Sequence, residues 1–256
     1  VKGMPTRCLH AWSLLLLATF ALLATGQDVR AANLQVAPTS ITLQARQSAG
    51  GLTLSNTGSE PLHAQLRVFR WTQNAGEDEL EATSDIALSP PMIELAPGAR
   101  QLVRIVRTGP PPAGHEASYR VIVDELPTAE RGDGGEPAQP SPPGLQFVLR
   151  YSIPVFLMPA GARELAPALR TRLVDGNRIE ISNTGDGHAQ VADLVFVGRD
   201  GQRIAIAPGL SGYVLPGQRK RWELPALFTT PPDGAFKARI NGEPVERTLA
   251  LDATTR

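Results

Sequence analysis

Apolar residues in this chain alternate with polar ones in short runs bounded by Gly, Pro, Asn and Asp, and after the N-terminal apolar stretch no long segment spaces them at helical intervals. This pattern predicts strands at residues 34–43, 52–54, 64–71, 102–106, 119–126 and 145–157. A second set falls at 169–173, 178–181, 191–197, 219–224, 236–240 and 245–251. Short strands at this density, separated by turn residues, indicate β-sandwiches. A Pro- and Gly-containing hinge at Met158-Pro159-Ala160-Gly161 divides the two sets. The expected organisation is a leader over 1–31, a first sandwich domain over 32–159 and a second over 160–256.

A repeat supports two related sandwiches. Leu54-Ser55-Asn56-Thr57-Gly58 precedes the alternating Ala64-Gln65-Leu66-Arg67-Val68, and Ile181-Ser182-Asn183-Thr184-Gly185 precedes Ala189-Gln190-Val191-Ala192-Asp193-Leu194. Further on, Leu95-Ala96-Pro97-Gly98-Ala99-Arg100 is echoed by Val214-Leu215-Pro216-Gly217-Gln218-Arg219 in the same order. Gly and Asn suit the positive-φ positions of such turns, and Pro presets the residue before them. Turn residues are common enough to coincide by chance, but two ordered matches favour duplication.

The N-terminus changes the picture of where the protein works. Lys2 and Arg7 precede an apolar run from Ala11 to Ala24, a signal-peptide pattern too short for a membrane span. Val29-Arg30-Ala31 offers small residues for cleavage near Ala32, with Ala24-Thr25-Gly26 as the second choice. The single cysteine, Cys8, lies in that leader, so the mature chain is expected to lack disulfides and thiol chemistry. The full chain has 25 basic and 25 acidic residues; loss of Lys2, Arg7, Arg30 and Asp28 leaves a slightly acidic protein. Its arginines are scattered singly, without the basic, aromatic-interleaved stripe of a nucleic-acid binder.

Catalytic and metal-binding patterns do not assemble. His63, His115 and His188 are far apart, each read as a surface or loop residue, and His115-Glu116 lacks the second histidine of a zinc motif. There is no Gly-x-Ser-x-Gly elbow and no phosphate loop. Asp124 and Glu125 are adjacent and point to opposite faces of a strand, which disfavours a carboxylate pair. No enzyme activity and no cofactor are expected.

One strand stands out. A Gly-, Pro-, Glu- and Ala-rich segment between Pro127 and Gly144, of a composition expected to be mobile, leads into 145–157, the most hydrophobic strand after the leader. Leu145, Phe147, Leu149, Tyr151 and Ile153 share one face, against Gln146, Val148, Arg150 and Ser152 on the other. Alternation alone is compatible with a core strand of its own domain or with an apolar ribbon offered to a partner.

The segment Ser89-Pro90-Pro91-Met92-Ile93-Glu94-Leu95-Ala96-Pro97-Gly98-Ala99-Arg100-Gln101-Leu102-Val103-Arg104-Ile105 resembles the Pro-Pro, Pro-Gly and Val-Arg signature of PapD-like periplasmic pilus chaperones. Trp71-Thr72-Gln73, the stretch from Glu116 through Tyr119-Arg120-Val121 to Pro127, and Ser152-Ile153-Pro154-Val155-Phe156 resemble the branch serving spore-coat-type and archaic fimbriae. The resemblance implies two immunoglobulin-like domains in a boomerang arrangement. It also implies a periplasmic location, pilus or fimbrial subunits as cargo, and an outer-membrane usher as recipient. By β-strand addition, Leu145, Phe147 and Leu149, with Tyr151 and Ile153, would enter a groove in the subunit. Free chaperone can also self-associate through such an edge. The family clamps the subunit's terminal carboxylate with a basic pair, but Ser40 and Pro154 stand at those places here. Arg150 and Arg104 are the candidate substitutes, each also readable as a solvated or structural arginine. Glu116 resembles the acid of an interdomain ion pair whose basic partner is replaced by Met158. The competing reading is a structural or adhesive immunoglobulin-like surface protein, and an enzyme on a sandwich scaffold is the more distant one.

Overall fold

Alternate side chains of a strand point to opposite faces. The residues described in this computed structural model, 34–127, 148–161, 165–226 and 233–252, obey that rule in seventeen strands and contain no helix. The leader, the Pro127–Gly144 segment beyond Pro127, and Leu145 and Phe147 lie outside the described residues.

The first ten strands are β1 (Leu34–Ala37), β2 (Ile41–Leu43), β3 (Ala49–Asn56), β4 (Leu62–Asn74), β5 (Glu77–Ala82), β6 (Ile86–Ser89), β7 (Met92–Leu95), β8 (Arg100–Arg107), β9 (Ala117–Leu126) and β10 (Arg150–Leu157). One sheet has the order β1-β3-β8-β6; the other runs β2-β10-β9-β4-β5, with β7 also on β4. Leu52, Leu54, Val103 and Ile105 from the first sheet meet Leu66, Val121, Val123, Ile153 and Val155 from the second in one buried core. Each such side chain contributes about 1.5–3 kcal/mol relative to exposure.

The remaining strands are β11 (Leu169–Val174), β12 (Arg178–Asn183), β13 (Ala189–Gly198), β14 (Arg203–Val214), β15 (Arg219–Glu223), β16 (Gly234–Ile240) and β17 (Arg247–Leu249). They form sheets β11-β12-β15 and β14-β13-β16-β17 around a second core of Ile179, Ile181, Val191, Phe196, Trp222, Phe236 and Ile240. The chain is thus two immunoglobulin-like sandwiches in tandem.

The repeat folds into the same joint twice. The buried Asn56 amide donates to Glu60 O (2.7 Å) and Leu95 O (3.0 Å), while its Oδ1 accepts from Gly58 N (2.9 Å). Asn183 does likewise with Gly187 O (2.8 Å), Val214 O (3.1 Å) and Gly185 N (2.9 Å). Gly98, at φ 73°, and Gly217, at φ 70°, each donate their N–H to the carbonyl of that asparagine. Each joint ties the end of one strand to the Pro-Gly turn before another.

Several elements differ from the pattern-based expectation. The strand expected over 34–43 is broken, because Pro38 has no N–H to donate; β1 pairs with β3 in one sheet and β2 with β10 in the other. Strands β5, β6, β7 and β14 were not legible. β5 reads Glu-Asp-Glu-Leu-Glu-Ala, exposed throughout, and β14 is interrupted by Pro208, Gly209 and register shifts against β13.

Candidate functional site

The site is built on β10. Along its full length, Arg150–Leu157, it pairs antiparallel with β9, but on its other side β2 covers only Val155, Phe156 and Leu157. Among the described residues, no strand pairs with Arg150 to Pro154 on that side. Glu125 N donates to Leu149 O at 2.9 Å. The alternation of antiparallel pairing therefore turns the main chain of Tyr151 and Ile153 towards β9 and that of Arg150 and Ser152 towards the open edge.

Burial along the strand is graded. Ile153 (4% exposed), Val155 and Leu157 belong to the chain's own core, whereas Leu149 and Tyr151 are half-buried at its rim and Val148 is 51% exposed. Tyr151 is also fastened, its hydroxyl donating to the carbonyl of Leu34 on β1. Among the described residues of the expected face, Leu149 is therefore the apolar side chain that is both inward-pointing and available. Ile153 is sealed within its own sandwich.

The two arginines proposed from sequence are not brought together. Arg104 lies on β8 of the opposite sheet, exposed on its outer face, with no ion pair among the described residues. Arg150 is held by Asp124, which also accepts from Arg67 at 2.7 Å. Burial pushes the Asp124 carboxyl up, but hydrogen bonds from Arg67 and Arg150 outweigh it and hold the group below the usual carboxylate range.

Arg120 was missed. It sits on β9 directly opposite Pro154, so the two residues share a face. Its guanidinium lies 3.6 Å from the Trp71 ring centroid and 5.3 Å from that of Tyr213, and Nη1 reaches Ser152 O at 3.4 Å. No carboxylate of the described residues comes within ion-pair distance, and burial lowers its pKa. Attraction from Tyr213 and the Asp78 carboxylate offsets part of that cost from beyond contact distance. Its signal in the sequence was the cross-strand register to Pro154, which only the fold reveals.

Beyond Pro154 the same strand enters the junction between the sandwiches. Phe156 is fully buried with Trp71, Tyr213 and Leu215. Gln73 spans the junction, its amide donating to Tyr213 O (2.7 Å) and its carbonyl accepting from Leu215 N (3.1 Å). Lys220 meets Asp78 at 3.0 Å. Burial raises the Asp78 carboxyl, yet Gln73 and Lys220 bring it below its ordinary value. The basic partner of Glu116, expected to be lost at Met158, is His188, with Nδ1 2.9 Å from the carboxylate. His188 is thus a junction residue and not the surface or loop residue the sequence suggested. His63 and His115 do lie at the surface.

Among the described residues no cluster of His, Cys, Asp and Glu could hold a metal ion. The arrangement offers a hydrogen-bonding edge, a half-buried apolar rim and an unpaired guanidinium.

Residues 33–163 match the family model of the pili and flagellar-assembly chaperone, PapD N-terminal domain. No curated protein matches the chain in sequence. Among solved structures, the chain resembles one in the CsuC–CsuE chaperone–tip adhesion subunit pre-assembly complex from archaic chaperone-usher Csu pili of Acinetobacter baumannii. The identity is 25% and the TM-score 0.58, over 75% of this chain and 91% of that one. The E. coli chaperone DraB gives 18% identity and a TM-score of 0.59 over 86% and 96% of the two chains. The Salmonella enterica SafA pilin complex with the SafB chaperone gives 19% and 0.59 over 83% and 91%. At those last two identities the likeness is one of fold.

Proposed function

The chain belongs to the PapD family of pili and flagellar-assembly chaperones, and from that premise we propose that it holds fimbrial subunits by strand addition along β10 and passes them to an outer-membrane usher. The observation that carries this reading is the open edge from Arg150 to Pro154, bordered by Leu149 at the rim of the core. An extended segment or groove edge of a subunit would take the main-chain groups of Arg150 and Ser152, at about 0.5–1.5 kcal/mol per hydrogen bond. Burial of Leu149, and of Leu145 and Phe147 before it, would add about 1.5–3 kcal/mol each. Ile153 would act from within, as the support of the edge.

Arg120 is the proposed seat for the subunit's terminal carboxylate. It lies beside the Ser152 carbonyl, at the end of the open edge next to the junction, and a carboxylate there would compensate its charge in a bidentate fork. Arg150, already engaged by Asp124, serves the strand itself.

The leader pattern supports a periplasmic location for a mature protein starting near Ala32, with domain limits at 32–159 and 160–256. The work is done by binding, without ATP or a cofactor. Co-expression with a fimbrial subunit tests the proposal: wild-type protein keeps the subunit soluble, and folded Leu149→Glu does not. Equal rescue by that variant would overturn it.

A further inference from the structure

A second surface lies away from this edge, on the outward face of the sheet β11-β12-β15. Thr171, Ile179, Ile181 and Trp222 are buried on the inner side, so alternation turns Arg170, Arg172, Glu180, Ser182, Arg219 and Arg221 outwards. Strand register sets them in two rungs: Arg172–Glu180–Arg221 and, beside it, Arg170–Ser182–Arg219.

The first rung is complete. Glu180 accepts from Arg172 Nε and Arg221 Nε, each at 2.7 Å, and its side chain is 2% exposed beneath them. The second rung has the same two flanking arginines but a serine at its centre. Arg219 makes only a long ion pair of 3.8 Å with Glu180, the acid the first rung already shares, and Arg170 meets no carboxylate within ion-pair distance among the described residues. The Ser182 hydroxyl donates to the Arg170 carbonyl at 3.5 Å, the long limit of a hydrogen bond. Outer strands of a three-stranded sheet are about 9–10 Å apart, a span that two arginine side chains close from either side. Four arginines set against one carboxylate leave an excess of like charge on one sheet face, which costs stability.

We infer that the Arg170–Ser182–Arg219 rung is a carboxylate seat completed from outside, by an Asp or Glu side chain on an extended acidic segment of a partner polypeptide. The neighbouring rung is its template, with the acid supplied internally. A fork-shaped donor pair suits a carboxylate in two-point contact. The face carries no apolar side chain among these six that could enter a lipid layer, which favours a polypeptide over a membrane surface. The seat lies on the second sandwich, whereas the open edge of β10 lies on the first, so it does not rest on the chaperone reading.

The test is fluorescence anisotropy of the mature protein with a labelled peptide alternating Glu and Thr, read beside thermal melts. Wild type binds with an affinity that falls as salt rises; Arg170→Ala/Arg219→Ala weakens binding at least tenfold, and Leu149→Glu leaves it unchanged. Ser182→Glu supplies the missing acid within the chain, so it abolishes peptide binding and raises the melting midpoint by about 2–4 °C. Equal binding by wild type and the double arginine variant, or a lowered midpoint in Ser182→Glu, would overturn the inference. So would binding of phosphatidylglycerol vesicles but not of the peptide, or salt-sensitive dimerisation through the same arginines in place of peptide binding.

Discussion

His188 lies flat on Phe156, ring centroids 3.7 Å apart and planes 6° from parallel. One strand therefore has two jobs: β10 offers an open edge at Arg150–Pro154 and, two residues later, plugs the junction between the sandwiches with Phe156. Whatever docks on the edge is held by a strand whose far end is clamped from the second sandwich.

That clamp has a measurable asymmetry. Glu116 is 3% exposed at its side chain and hydrogen-bonded to His188 Nδ1, so His188→Ala leaves a buried carboxylate without that partner and costs about 1–3 kcal/mol. Glu116→Gln removes the charge itself and costs less. Urea denaturation at neutral pH compares them, and equal losses in the two variants would contradict this asymmetry.

The twin asparagines predict parallel losses. Asn56→Ala orphans two carbonyls and the Gly58 N–H, while Asn183→Ala orphans two carbonyls and two N–H groups, those of Gly185 and Ala168. Each is expected to destabilise its own sandwich by about 2–4 kcal/mol. Hydrogen exchange with mass spectrometry separates the two, since each variant should loosen the Pro-Gly turn of its own half.

Acid stability follows from Asp124 and Asp78, whose folded carboxyls lie below their ordinary values. Because the folded value is the lower one, their contribution is complete above about pH 4 and is lost as pH falls through the folded value. The slope of stability against pH below 4 should be shallower in Asp124→Asn than in wild type, as read by denaturant melts across pH 2–5.

Arg120 should separate binding from folding. Arg120→Met relieves a partly desolvated charge that touches no carboxylate but gives up its stack on Trp71, so stability changes little, while retention of a bound subunit falls about tenfold or more. Arg150→Met, which breaks the Asp124 pair, should act in the opposite way, lowering stability more than retention. Subunit pull-down and thermal melts on the same samples distinguish them.

The legible parts of the fold were those written in local chemistry. Asn-Thr-Gly and Pro-Gly turns carry their own local chemistry, so both kinds of turn, though not the bonds that join one to the other, could be read from residue types alone, and the period-two runs gave most core strands. β5 carries no alternation, because an exposed acidic edge has no buried face to encode. The site was half legible. The donor face was visible in the spacing of Leu149, Tyr151 and Ile153, but its division into rim, strut and core depends on how far β2 extends along β10. Arg120 and His188 act across strands or across the two sandwiches, and such partners have no sequence spacing to betray them.

The central claim is that the edge from Arg150 to Ser152 receives another chain. Amide exchange of Arg150 and Ser152, measured in the free protein and in its complex with a fimbrial subunit, tests it most directly. Protection of both amides by at least about tenfold on complex formation is the predicted result; a stable complex in which they exchange as fast as in the free protein would contradict it.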